Sequence, residues 1–122
     1  MKINDVITYL EEQFPLDNQE DYDNCGLLVG DFNKTLSSIL ISLDCTEEVV
    51  SEAIKKKCNL IITHHPVIFG NIKKVTTQNN IGKTILKMLF SKEYPIVILA
   101  STKFGVILII PEFIEPYPIA LN

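Results

Sequence analysis

Polar and apolar positions change period several times along this chain, and each change marks an element. After Asn4, residues Val6, Ile7, Leu10 and Phe14 recur at three- and four-residue spacing until Pro15, which predicts one amphipathic helix capped by Asn4. Residues 17–24 are polar and acidic and predict a loop, in which Asp23-Asn24-Cys25-Gly26 suits a turn whose Asx side chains bond the local backbone. The glycines Gly26 and Gly30 bracket a short apolar strand, Asp31-Phe32-Asn33-Lys34 predicts a turn, and Ser38 to Leu43 a second strand. Thr46 then caps a second helix. Glu47 and Glu48 in its first turn and Lys55, Lys56 and Lys57 in its last complement the helix dipole, and Val49, Val50, Ala53 and Ile54 form its buried stripe. A strand from Leu60 to Thr63, a polar loop through Asn71, Thr76, Asn79 and Asn80, a helix with Ile81, Ile85, Leu86 and Leu89 inward, and a strand from Ile96 to Ala100 complete the series.

Strands alternating with helices imply an α/β fold, a mostly parallel sheet with helices on both faces. The chain has 122 residues, enough for one core, and no internal repeat. Near its end, Val106 to Ile110 is a continuous aliphatic run that reads as a strand buried on both faces, whereas Pro111, Pro116 and Pro118 predict irregular structure from Glu112 to Asn122.

Candidate chemistry gathers at one point. His64 and His65, the two histidines of the chain, end the apolar run before Pro66. Ligands of open α/β sheets bind outside the carboxyl ends of the strands, where Asp44, His64-His65 and Ser101-Thr102 all fall. Neighbouring side chains on extended backbone point to opposite sides, so the two imidazoles would reach two metal ions more easily than they would grip one. The bland alternative is one histidine capping the strand and the other in solvent. Asp44 either orients a histidine or precedes the helix cap, the latter being the commoner role, and Cys45 reads as packing. No Walker loop, dinucleotide fingerprint or Ser/His/Asp arrangement is present, and no catalytic residue is assigned.

Composition narrows the partners. A net charge of −4 and eleven lysines, scattered except for Lys55-Lys56-Lys57 and Lys73-Lys74, give no concentrated basic face for nucleic acid. Cys25, Cys45 and Cys58 are odd in number and lack paired spacing, which fits a reducing compartment. The amino terminus has no apolar signal core, and the longest aliphatic run is far short of the ~20 residues that span a bilayer. A soluble cytoplasmic protein is expected.

Asp23-Asn24-Cys25-Gly26-Leu27-Leu28-Val29-Gly30, Ser42-Leu43-Asp44-Cys45-Thr46, and Ile62-Thr63-His64-His65-Pro66-Val67-Ile68-Phe69 with Lys73-Lys74-Val75-Thr76 resemble, in order and spacing, the signatures of the GTP cyclohydrolase I type 2 homologue family. The resemblance covers roughly Met1 to Val97. It implies the first half of that family's α/β fold, a homo-oligomer of the hexameric-ring kind, and a dinuclear site for divalent ions of zinc, iron, manganese or magnesium type. His64 and His65 match its metal-ligand block. The family's remaining ligands, in an H-T-x-x-D segment and a C-terminal histidine and glutamate, have no match, since Ala100-Ser101-Thr102-Lys103-Phe104-Gly105 lacks both the histidine and the aspartate. The chain thus divides into 1–105, resembling the family's amino-terminal part, and a divergent tail, 106–122. Two imidazoles without carboxylates imply weak metal binding unless partner subunits help. Three readings stay open: a metal-dependent hydrolase acting on a purine nucleotide ring, a non-enzymatic metal-binding or interaction module, and an inactive truncated copy.

Overall fold

A computed structural model of the chain describes residues 1–15, 24–68 and 70–91, together with the backbone of two further strands. The order is α1 (Ile3–Gln13), β1 (Gly26–Val29), β2 (Ile39–Ser42), α2 (Glu47–Lys55), β3 (Leu60–Thr63), α3 (Asn80–Phe90), β4 (Ile96–Leu99) and β5 (Ile119–Leu121). Among the described residues the strands form one sheet, ordered β1-β4-β3-β2-β5, with β3 at its centre. Strands β2 to β5 pair parallel and β1 lies antiparallel on the β4 edge. The expected α/β class and mostly parallel sheet are found.

Alternate residues of the central strands serve two cores. Ile39, Ile41, Leu60 and Ile62 pack with Ile3, Val6, Ile7 and Leu10 of α1 on one face. On the other, Leu40 and Ile61 meet Val49, Val50 and Ala53 of α2 and Met88 of α3. Because both faces are covered, β2 and β3 must be apolar at successive positions, and that is why their sequences run rather than alternate. No helix among the described residues is long and apolar enough to cross a membrane.

Several expectations need correction. The first helix is entered from Lys2, not Asn4, because Asp5 reaches back and its Oδ2 accepts the Lys2 backbone N–H at 2.7 Å. Ile54, Ile81 and Leu89 are exposed, and α3 instead turns Gly82, Thr84, Ile85 and Met88 inward. Met88 joins the core cluster with α2 and the sheet, and Gly82 lies against the Thr76 backbone. Glu112 to Asn122 is not irregular throughout, since Ile119–Leu121 extends the sheet beside β2. The run Val106 to Ile110, Ala100 and the boundary at residue 105 lie outside the described residues.

The amino edge of the sheet is held by a polar network. Asn59 donates from Nδ2 to the Thr35 carbonyl at 2.7 Å and accepts the Ser37 N–H at 2.9 Å. The Ser37 and Ser38 hydroxyls both donate to the Lys57 carbonyl, at 2.8 and 3.1 Å. Lys57 itself ends α2 at φ 58, in the left-handed region, with the Cys58 N–H bonded back to the Ala53 carbonyl at 2.8 Å. A side chain there is strained, so Lys57→Gly should raise stability by about 0.5 to 1 kcal/mol in urea unfolding. The opposite sign is expected at Gly82, where an added Cβ would overlap the Thr76 carbonyl oxygen. Helix propensity would favour alanine by about 1 kcal/mol, yet the clash with backbone outweighs it, and Gly82→Ala should cost about 1 to 3 kcal/mol in the same measurement.

Candidate metal-ligand edge

Register explains what meets at the carboxyl edge. Ser42 pairs with Thr63 across β2 and β3, so residues two further along each strand, Asp44 and His65, arrive at the same level. Their side chains touch: Nδ1 of His65 lies 2.7 Å from Oδ1 of Asp44. An ionised carboxylate can only accept, so the ring N–H donates and the other ring nitrogen, Nε2, is left free to act as a ligand. Asp44 is therefore an orienter of a histidine. The cap of α2 is Thr46, as expected, its Oγ1 accepting the Val49 N–H at 3.3 Å, so Asp44 precedes the cap and also contacts the histidine.

The two imidazoles do not point to opposite sides. Their centroids are 4.8 Å apart with planes tilted by 54°. Ladder pairing stops at Thr63, whose hydroxyl donates to the His65 carbonyl at 2.7 Å and bends the chain, and the alternation of an extended strand is lost at that bend. The His65 N–H still bonds the Leu43 carbonyl at 3.0 Å, which keeps the bend docked on β2.

His65 and Asp44 open into a cleft of about 580 Å³ between the first turns of α2 and α3, with Glu47, Glu48, Pro66, Val67 and Ile81 on its walls. His64 is not among its lining residues. No three His, Cys, Asp or Glu side chains among the described residues converge to hold a metal ion. Asp23, Phe69, Ser101 and Thr102 lie outside the described residues.

Sequence reasoning missed Asn24. Instead of folding back on a local turn, its Nδ2 donates to the carbonyl of Ile68 at 3.0 Å, across 44 positions. Only a topology with β1 antiparallel brings its amino end to this edge, a fact no local pattern announces.

A family model described as Duf34/NIF3 (NGG1p interacting factor 3) matches residues 1–95. A Clostridium acetobutylicum protein named GTP cyclohydrolase 1 type 2 homolog is 43% identical over 89 residues, 73% of this chain and 33% of that protein. A Staphylococcus aureus protein of the same name is 44% identical over 89 residues, 73% of this chain and 24% of its own length. The crystal structure of Staphylococcus aureus protein SA1388 superposes with a TM-score of 0.74 at 40% identity, covering 81% of this chain and 28% of that one. The chain thus spans about a quarter to a third of the length of the curated relatives it matches.

Cys45 lines the cleft, and burial pushes its thiol from 9.0 up to about 12. A raised folded-state value favours the folded state fully below pH 9, and that contribution is lost as pH rises from 9 toward 12. At pH 8 the native thiol is protonated and a poor nucleophile, so peptide mapping should find Cys45 alkylated by iodoacetamide at least about tenfold more slowly in the native chain than in urea.

Proposed function

The chain belongs to the Duf34/NIF3 family, and on that basis we propose that it is a divalent-metal-binding protein whose His64 and His65 supply half of a metal shell. The observation that carries this reading is the 2.7 Å contact between Asp44 and His65. A metal-binding histidine almost always gives its second ring nitrogen to a carboxylate or carbonyl, which fixes the tautomer and aims the lone pair. His64 supports the reading from alongside, its ring 4.8 Å from that of His65.

The donor set fits a partial site. Two imidazoles suit zinc or iron better than magnesium, which prefers oxygen. With no third converging ligand among the described residues, solvent or a second copy of the chain completes the shell, and affinity is weak. When bound, such an ion supplies Lewis acidity. Hydrolysis of a purine nucleotide ring is the second reading, favoured by the name the relatives carry, and it belongs to a complete metal shell rather than to two imidazoles.

Titration calorimetry with zinc tests the proposal. The expected outcome is at most one ion per chain, held with a dissociation constant of roughly micromolar or weaker. His65→Ala should abolish the signal, and Asp44→Asn should weaken it roughly 10- to 100-fold. Two tightly held ions in the unmodified chain, or binding unchanged in His65→Ala, would overturn it.

A further inference from the structure

We propose that Asn24 is a positioning residue, a clamp on the loop that carries His64 and His65. The inference rests on the metal-binding reading for its purpose, though not for its geometry.

Gly26 pairs with Leu99 on β4, and Leu99 pairs with Thr63 on β3. Because β1 runs antiparallel, the residues that precede it extend past the same edge that His64 and His65 extend past. Asn24, two positions before Gly26, therefore stands beside the segment that follows the histidines. Its carboxamide donates to the Ile68 carbonyl at 3.0 Å in a half-buried setting.

Other contacts hold that loop as well. Thr63 and Leu43 fix its start, through the Thr63 hydroxyl on the His65 carbonyl and the His65 N–H on the Leu43 carbonyl. Val67 is buried, and Ile68, like Leu28 and Val29 of β1, packs partly buried against the core cluster that contains Val67. Apolar packing is not directional. It leaves the orientation of the Ile68 peptide free, and with it the angle at which the loop leaves His65. The Asn24 bond is directional and closes the loop at its far end. Thus β1, β2 and β3 each contribute one element to the edge: the clamp, the orienting carboxylate Asp44, and the imidazoles.

A neutral hydrogen bond has a net worth equivalent to about two- to tenfold in an equilibrium constant, and loss of a partner for a buried carbonyl costs somewhat more. The test is amide hydrogen exchange on the full chain without metal, together with the imidazole nitrogen spectrum of His65 and zinc calorimetry. Asn24→Asp keeps the shape, removes the donor and sets an oxygen against the Ile68 carbonyl. The expected result is exchange of the His65, Val67 and Ile68 amides faster by about tenfold, unchanged exchange at Ile61 and Ile62 inside β3, a shifted His65 nitrogen signature, and zinc affinity about three- to tenfold weaker. Asn24→Ala serves as the second variant should the aspartate impair folding. A purely structural role would speed exchange in β3 as well and leave the His65 signature in place. That pattern, or loop exchange and His65 signature both unchanged in either variant, overturns the clamp. If the unmodified chain and His65→Ala both fail to bind zinc, the metal reading falls, while the exchange pattern and the nitrogen signature still decide the clamp.

Discussion

The in-register parallel pairing of β2 with β3 is the constraint from which the rest of the site follows. Four consecutive pairs, Ile39 with Leu60 through Ser42 with Thr63, leave no slack. A slip of β3 by one residue would send Leu60 and Ile62 to the wrong core and separate Asp44 from His65. The register is anchored at its other end by Asn59, Ser37, Ser38 and the carbonyl of Lys57, a polar cluster with no chemistry of its own. Stability at the amino edge thus becomes geometry at the carboxyl edge.

Magnitude separates what stabilises this fold from what shapes its site. The side chains of His65 and Asp44 are 48% and 55% exposed, and even an ion pair so exposed would contribute only about 0 to 1 kcal/mol. Each fully buried aliphatic side chain of β2 and β3 contributes roughly 1.5 to 3 kcal/mol. Losing Asp44 would hardly disturb the fold. Its effect lies in which imidazole nitrogen faces outward, a matter of direction rather than of energy.

The cleft beside His65 is shaped by two helix starts. Thr46 caps α2 through the Val49 N–H and Asn79 caps α3 through the Gly82 N–H at 2.6 Å, so both helices begin at the same edge. The absence of a side chain at Gly82 lets the Thr76 backbone lie against the first turn of α3. Glu47 and Glu48 stand on the cleft wall at the start of α2, where the helix dipole favours them. Carboxylates and an imidazole therefore face one space without forming a closed metal shell.

The local pattern of the chain determined its elements. The unbroken apolar run of β3, the Thr46 cap with its two glutamates, and Pro66 after the paired histidines are properties of adjacent residues, and they were legible without coordinates because period, caps and breakers act within a turn or a strand. The block Ile62 to Phe69 also announced the family and its two imidazoles. Only the tertiary structure decided which side chains meet across distance. Asp44 and His65 lie 21 positions apart and come together through parallel register, and Asn24 and Ile68 lie 44 apart and come together because β1 is antiparallel. The inward face of α3 was likewise settled by packing, which chose Met88 over Leu89 although both are apolar. Pairing partner, strand direction and helix rotation are set by the free energy of the whole core, and no window of neighbouring residues contains it.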